Sequence, residues 1–221
     1  QYLLFDLDGT LLNSEKHIAE HTREVLTRAV EQGIWILPVT GRPLGGLPKE
    51  VVEFPGVQYA ITANGARIME TQTGGCLYER LVPVKTAEQI MEIFSDYDAL
   101  REVYYGGKGY AEAEEFSRVG EYMRSPQMAA YVRVTRTPVP DILQLIREKG
   151  QDTDKVQGVF KIDEERTEAR KRLEAVEGIE VTGALSNNIE VNAAGVDKGN
   201  AILWFADHLG IPHEEVAGFG D

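Results

Sequence analysis

The first sixty residues alternate between short apolar runs and longer stretches with apolar positions at helical spacing. The apolar runs are "YLLF" at 2–5, "IWILPV" at 34–39 and "VQYAIT" at 57–62. Runs of this length without alternating polar positions are typical of strands that are buried on both faces of a parallel sheet. The order strand, helix, strand, helix, strand predicts an α/β fold with a doubly wound parallel sheet.

Two helices are predicted between these strands. Ser14 can cap the first one with Glu15 in its first turn, and we expect it to end near Gly33. Its apolar stripe consists of Ile18, Val25, Leu26 and Ala29. The second helix begins in "RPLGGLPKEVVEF", where Pro43 is acceptable in the first turn.

The pattern changes after the third strand. "ARIME" and "CLYERLV" flank Thr73-Gly74-Gly75 and predict a β-hairpin. Helices are then predicted at 86–97, 138–149 and 164–176, with strands near 101–105, 129–135, 156–162 and 179–183. The first pattern resumes with a strand at 188–192, a helix at 197–209 and a strand at 215–219. We therefore expect a core formed by residues 1–82 and 188–221, interrupted by an α+β domain inserted at 83–187.

Composition narrows the class of protein. The 221 residues carry a formal net charge of −13, which disfavours nucleic acid or an anionic membrane as a partner. No apolar run reaches the roughly 20 residues that a membrane helix needs, and no signal-peptide pattern opens the sequence. A single cysteine, Cys76, is typical of a reducing compartment. We expect a cytoplasmic protein. Its net charge also means that any anionic substrate would need a local positive charge or a bound cation.

Two carboxylates follow the first strand in "FDLDGTLLNSE". Residues two apart in a strand point to the same side, so Asp6 and Asp8 can both face the crevice beyond the carboxyl end of the sheet. One can attack phosphorus and form an aspartyl-phosphate, while the other transfers protons. Mg²⁺ would offset the repulsion between them. The alternative is a turn in which Asp8-Gly9 only reverses the chain.

Four segments in the same order resemble the motifs of the haloacid dehalogenase superfamily: "DLDGTL", "LPVTGR", "GVDKGNAI" and "AGFGD". The usual members of this family are Mg²⁺-dependent phosphohydrolases. The insertion between the second and third motifs resembles the family's type II cap. "TANGA" and "NNIEVNAAGVDKGNA" resemble the Cof-type sugar-phosphate phosphatases within subclass IIB. In the family the fourth motif continues with a second acidic or amide residue, whereas this sequence ends at its first Asp.

The resemblance implies a role for each matching residue. Asp6 would be the nucleophile and Asp8 the acid and then the base. Thr40 and Lys198 would hold the phosphate. Taken singly, Thr40 could be an ordinary residue at a strand end, and Lys198 an ordinary solvated lysine at a helix start. Asp221 would bind Mg²⁺ together with the Asp6 side chain and the Asp8 main-chain carbonyl.

Further groups near these motifs can contact a phosphate. The backbone N–H groups of Leu7 and Gly41 can donate to its oxygens. Arg42 could reach a substrate or brace its own loop. Asn64 could face the crevice, although Asn-Gly is first of all a turn signal.

The expected function is hydrolysis of phosphate monoesters of small metabolites, with sugar phosphates as the favoured substrates and Mg²⁺ as the cofactor. A phosphomutase that passes the aspartyl-phosphate to a second hydroxyl is one alternative. A metal-bound binding module without turnover is another. If the family topology holds, strand 215–219 pairs in parallel with strand 2–6, on the side opposite strand 34–39.

Overall fold

The computed structural model describes residues 1–183 and 186–220. This part of the chain divides into two compact units. The first unit consists of residues 1–79 together with 196–220, and the second consists of residues 80–195.

The first unit contains most of the predicted α/β elements. Its amino-terminal part comprises β1 (Tyr2–Phe5), α1 (Glu20–Glu31), β2 (Trp35–Pro38), α2 (Lys49–Val52), β3 (Tyr59–Thr62), β4 (Arg67–Glu70) and β5 (Cys76–Glu79).

The second unit follows β5 and mixes helices with strands. Its elements are α3 (Val84–Ser95), β6 (Ala99–Tyr105), β7 (Lys108–Glu112), α4 (Ala113–Ser117), α5 (Pro126–Thr135), β8 (Arg136–Val139), α6 (Ile142–Lys149), β9 (Lys155–Phe160), α7 (Asp163–Leu173), β10 (Ile179–Thr182) and β11 (Asn188–Ala193). The chain then returns to the first unit through α8 (Lys198–Leu209) and β12 (Val216–Phe219).

β1 lies between two parallel neighbours. β12 pairs with it on one side, where Tyr2 is opposite Val216 and Phe5 is opposite Phe219. β2 pairs with it on the other side, where Tyr2 is opposite Trp35. The predicted parallel pairing of the last strand with the first, on the side away from the second strand, is confirmed.

β3 extends this sheet beyond β2 and is followed by a hairpin. Parallel bridges join Ile36 to Val57 and Val39 to Ile61. β4 then pairs antiparallel with β3, and β5 pairs antiparallel with β4. The predicted hairpin around Thr73-Gly74-Gly75 is therefore confirmed.

Helices cover both faces of the first unit's sheet. On one face Ile36 packs in a cluster with Leu26 of α1 and Val51 of α2. On the other, the neighbouring Leu37 packs in a cluster with Phe205 of α8. Successive strand residues point to opposite faces, so continuous apolar runs are needed to fill both clusters. The doubly wound parallel sheet predicted from these runs is confirmed.

The second unit has a six-stranded sheet in the order β10-β11-β9-β6-β7-β8. Its pairings are antiparallel except for β7 with β8, which is parallel. Val132 of α5 packs against one face of this sheet with Leu100 and Val159. Gly106 and Gly107 connect β6 to β7, and both have positive φ.

The predicted start of the first helix was wrong. α1 begins at Glu20 rather than near Ser14, and Ala19 precedes it without a side-chain cap. The side chain of Asn13 accepts hydrogen bonds from the backbone N–H groups of Glu15 and His17, both at 3.0 Å. This turn competes with a helix for the same backbone groups.

The predicted apolar stripe of that helix was only partly right. Leu26 is buried, whereas Val25 is 41% exposed. Ile18 is buried, but it precedes the helix.

The predicted helix after Pro43 was also largely wrong. A single 3₁₀ turn at Leu44–Gly46 and the four-residue α2 replace it. Gly45, Gly46 and Pro48 disfavour a continuous helix.

The predicted strand at 129–135 is part of helix α5. Ser125 caps this helix by accepting a hydrogen bond from the N–H of Met128 at 3.2 Å, and Pro126 occupies the first turn. These start signals outweigh the β-branched residues that follow. The short elements α4 and β8 were not predicted.

The predicted return to the core at 188–192 was wrong, because β11 pairs antiparallel with β9 and β10 in the second unit. The polar Asn188, Glu190 and Asn192 alternate with apolar residues, which is typical of an antiparallel sheet. The boundaries between the two units lie after Glu79 and Gly195, whereas the sequence suggested 82 and 187.

Within the described ranges 1–183 and 186–220, no helix is long and apolar enough to cross a membrane.

Candidate active site

Asp6 and Asp8 lie directly after β1, on either side of a buried leucine. The N–H of Asp6 continues the strand pairing by donating to the carbonyl oxygen of Phe219 at 2.9 Å. The side chain of Leu7 is fully buried in the apolar cluster below α1 and α2. Gly9 follows with φ of 84°, a conformation that side chains disfavour. The chain therefore turns away and leaves both carboxylates at the carboxyl end of the sheet.

Lys198 contacts the first of these carboxylates. Its Nζ lies 2.5 Å from Oδ1 of Asp6, across 192 residues of sequence. The Asp6 side chain is 16% exposed, and that of Lys198 is 41% exposed. Lys198 is the first residue of α8, whose start is capped by Asp197, which accepts a hydrogen bond from the N–H of Asn200 at 2.7 Å. The cap fixes where the helix begins and so fixes the lysine.

The loop after β3 holds the start of α8 in place. Gly65 has φ of 105°, and a Cβ on it would lie 2.4 Å from the carbonyl oxygen of Asp197. Real Cβ atoms do not approach a backbone oxygen so closely, so only glycine fits here without movement of the helix start.

Two basic side chains hold Asp8. Arg42 donates from Nε to Oδ2 at 2.9 Å and from Nη2 to Oδ1 at 2.7 Å. Lys16 donates to the same Oδ1 at 2.7 Å. Burial raises the pKa of the Asp8 carboxyl, but the hydrogen bonds and charges of Arg42 and Lys16 outweigh it, so this pKa lies below its ordinary value. Asp8 is therefore ionised at neutral pH in this arrangement.

Thr40 lies at the end of the neighbouring strand and is buried. Its hydroxyl oxygen accepts a hydrogen bond from the N–H of Arg42 at 3.1 Å. Its carbonyl oxygen accepts one from the N–H of Asn64 at 3.1 Å, and Asn64 has φ of 65°. Gly41 lies between Thr40 and Arg42. These contacts join the ends of β2 and β3 into one loop cluster beside the end of β1.

Arg42 contacts its own loop as well as Asp8. Its Nη1 donates to the carbonyl oxygen of Gly46 at 3.1 Å. The Arg42 side chain is 13% exposed, and its guanidinium is held between the loop and the carboxylate.

The metal ligands suggested by the sequence are only partly described. Asp6 and Asp8 are at the same sheet edge, whereas Asp221 lies outside the described residues. Within 1–183 and 186–220 there is no group of three or more His, Cys, Asp or Glu residues suited to holding a metal ion. The assignment of the metal ligands stays a prediction.

Two residues of this cluster were not singled out from the sequence, Lys16 and Gly65. The turn signal at Asn13 is the feature that could have indicated Lys16, because an Asn side chain commonly bonds the backbone two residues on. Gly65 was included in "TANGA" only as a turn residue. Its close approach to α8 depends on a contact between distant parts of the chain, which no local pattern records.

The whole chain is similar to known phosphatases. A family model described as haloacid dehalogenase-like hydrolase matches residues 3–221. The phosphatase YwpJ of Bacillus subtilis is 27% identical over 238 residues, covering 99% of this chain and 82% of the relative. The 5-amino-6-(5-phospho-D-ribitylamino)uracil phosphatase YcsE of the same organism is 24% identical over 221 residues, covering 99% and 76%.

The fold is shared as well. The structure of a haloacid dehalogenase-like hydrolase from B. subtilis matches with a TM-score of 0.84 at 25% identity, covering 100% of this chain and 82% of that one. The resemblance predicted from the four motifs is confirmed by the match over residues 3–221. This chain is a member of the haloacid dehalogenase-like hydrolase family and belongs among its phosphoric monoester hydrolases.

Proposed function

We propose that this protein hydrolyses phosphate monoesters of small metabolites, sugar phosphates among them, through an aspartyl-phosphate at Asp6. The observation that carries the proposal is the contact between Lys198 Nζ and Asp6 Oδ1 at 2.5 Å, with Asp8 two residues further on. In this arrangement Asp6 provides the nucleophile and Lys198 a positive charge for the phosphate. Asp8 provides the group for proton transfer.

In the first step a carboxylate oxygen of Asp6 attacks phosphorus, and the bond from phosphorus to the leaving oxygen breaks. The leaving oxygen takes a proton from Asp8. A bound phosphate is anionic and favours the protonated form of a neighbouring carboxyl, so substrate binding offsets the low pKa of Asp8. In the second step water attacks phosphorus and gives a proton to Asp8. Inorganic phosphate leaves and the Asp6 carboxylate is restored.

The phosphate would be held by groups at the ends of three elements. Lys198 at the start of α8 supplies a positive charge in an acidic protein. The Thr40 oxygen accepts the N–H of Arg42, so its own proton can be directed to a phosphate oxygen. The backbone N–H groups of Leu7 and Gly41 would add further donors. Arg42 contacts Asp8 in this structure, so we assign it to that carboxylate rather than to the phosphate.

Magnesium fits the donors of this site, because carboxylate and carbonyl oxygens are the ligands that this ion prefers. The Asp6 carboxylate, the Asp8 main-chain carbonyl and Asp221 would hold it. When bound, it would supply positive charge to the phosphate oxygens.

The second unit is inserted between β5 and α8, where the family resemblance implies a cap. We propose that it takes part in the choice of substrate. The relative named for a phosphorylated ribitylamino compound supports a phosphorylated polyol or sugar as the substrate class.

A release assay across a panel of sugar phosphates, nucleotides and cofactor phosphates tests the function. We expect inorganic phosphate from at least one sugar or polyol phosphate with Mg²⁺ present, and none with the Asp6→Asn variant. Isomerised product without phosphate release would favour a phosphomutase. Binding of these compounds without turnover by the wild type would contradict the proposed function.

A further inference from the structure

Lys16 is a basic residue that contacts Asp8. No sequence motif assigns a role to Lys16. Its Nζ donates to Oδ1 of Asp8 at 2.7 Å, and Arg42 Nη2 donates to the same oxygen at 2.7 Å. Arg42 Nε donates to the other oxygen, Oδ2, at 2.9 Å. Together the two side chains fix the rotation of the Asp8 carboxylate about its own axis, because each oxygen has a directed charged donor.

The loop that carries Lys16 has a defined structure. The backbone N–H of Asn13 donates to the carbonyl oxygen of His17 at 2.9 Å, and the N–H of Lys16 donates to the carbonyl oxygen of Asn13 at 3.0 Å. The Asn13 side chain accepts from the N–H groups of Glu15 and His17. Lys16 itself has φ of 66°, which residues with side chains rarely adopt. Non-glycine residues hold this conformation where the surroundings determine it, often at functional sites.

An ordinary surface ion pair is the simplest alternative. The side chains of Lys16 and Asp8 are 47% and 45% exposed, and exposed pairs contribute little to stability. If the pair were only that, its removal would change neither folding nor turnover. The unusual backbone of Lys16 and the second cation on the same carboxylate distinguish it from such a pair.

We infer that Lys16 is a positioning residue, which together with Arg42 orients the Asp8 carboxyl toward the leaving oxygen of the substrate. This inference rests on the proposed function. Lys16 acts through Asp8 and not on the phosphate, so its loss should slow the proton transfer and leave substrate binding nearly unchanged.

The leaving group provides a specific readout. An alkyl phosphate releases a strongly basic oxygen that needs a proton in the first step. p-Nitrophenyl phosphate releases a weakly basic phenolate that does not. A defect in the orientation of Asp8 should therefore be larger with the alkyl substrate.

The experiment compares Lys16→Met, Lys16→Arg and Lys49→Met with the wild type. Lys49 is an exposed lysine of the same unit, paired with Glu53 at 3.4 Å and outside the site. Initial rates are measured with the best alkyl phosphate of the panel and with p-nitrophenyl phosphate, and thermal unfolding is measured for every variant.

For Lys16→Met with the alkyl phosphate, we expect kcat to fall about tenfold. This is less than a general acid usually contributes to the rate, because Asp8 itself is still present. KM should stay within about twofold of the wild-type value, since Lys16 acts through Asp8 and the binding of the substrate is unchanged. The fall in kcat/KM, which covers the steps up to formation of the aspartyl-phosphate, should be smaller with p-nitrophenyl phosphate than with the alkyl phosphate. Lys16→Arg should recover most of the rate, and Lys49→Met should equal the wild type.

Three outcomes would overturn the inference. These are an unchanged kcat in Lys16→Met with the alkyl phosphate, an equal loss of kcat/KM with both substrates, and a rise in KM alone, which would place Lys16 on the substrate instead. A wild type without phosphatase activity would overturn the proposed function and this inference together. An active wild type with an unaffected Lys16→Met would overturn this inference alone.

Discussion

Lys198 Nζ lies 2.5 Å from Asp6 Oδ1, although 192 residues separate the two in sequence. β12 and α8 bring about this contact, because α8 leads into the strand that pairs in parallel with β1. Asp6 follows the carboxyl end of β1, and Lys198 is the first residue of α8. The site therefore depends on the pairing of the first and last strands.

Removing the Lys198 charge should impair phosphate transfer more than folding. For Lys198→Met we expect kcat/KM to fall about 10²- to 10³-fold, as when one preorganised group that stabilises developing charge is lost. The side chain is 41% exposed, so we expect the melting temperature to change little.

Steady-state kinetics and thermal unfolding check this expectation, with Lys49→Met as the control for loss of an exposed lysine in the same unit. A variant that keeps more than about a third of the wild-type kcat/KM would contradict the assigned role, because the expected loss is at least about a hundredfold.

Gly65 should be far less tolerant of alanine than Gly74, although both have positive φ. At Gly65 the new Cβ would meet the Asp197 carbonyl oxygen at 2.4 Å, whereas at Gly74 it would meet nothing within 4 Å. For Gly74→Ala we expect a loss of about 1 kcal/mol from backbone strain alone. Gly65→Ala should lose at least about 2 kcal/mol, since the helix start must move or the clash remain.

Chemical denaturation measures both variants. Gly65→Ala should also lose activity, since Lys198 follows Asp197 directly and would shift with it. Equal stability losses in the two variants would show that the contact with α8 does not restrict residue 65.

The stability of the second unit should depend on the charge of Asp98 at neutral pH. Tyr122 donates to Oδ1 of Asp98 at 2.5 Å. This hydrogen bond lowers the pKa of Asp98 most; burial opposes it, and the charges of Lys161 and Arg118 also lower it. A lowered folded-state pKa contributes stability above the unfolded pKa of about 3.9, which is lost as pH falls through the folded value.

The Asp98→Asn variant should therefore be less stable than the wild type at pH 7, and the gap should narrow below about pH 4. Thermal unfolding from pH 7 to pH 3 tests this. A gap that stays constant down to pH 3 would show that the Asp98 charge is not the cause.

Much of the first unit could be predicted because its strands are short apolar runs buried on both faces. Parallel strands end at a common edge, so residues that follow them come together even when they are far apart in sequence. From the sequence alone, that rule was enough to place Asp6, Asp8 and Thr40 near one another, whereas Lys198 was placed there by the family resemblance. The pairing of β12 with β1 confirmed the topology on which it depends.

The errors have local causes. Asn13 forms a turn where Ser14 was expected to start a helix, and Ser125-Pro126 begins a helix where β-branched residues suggested a strand. β11 was assigned to the first unit although the alternation of its polar residues with apolar ones is typical of an antiparallel sheet and not of the parallel core. The contacts of Lys16 and Gly65 depend on positive φ angles. A lysine rarely adopts such an angle, so its residue type does not predict one.

Trapping the phosphoenzyme tests the central claim, that Asp6 is the nucleophile. The protein with Mg²⁺ is mixed with substrate labelled in the phosphoryl group and quenched in acid, and the digested peptides are searched for the label. With p-nitrophenyl phosphate as the labelled substrate, we expect the label on the peptide that contains Asp6 and its absence in Asp6→Asn. We expect a larger labelled fraction in Asp8→Asn, because this leaving group needs no proton from Asp8 whereas the group that activates water is missing. Release of phosphate by the wild type with the label on another residue, or on no residue in any of these variants, would contradict the account.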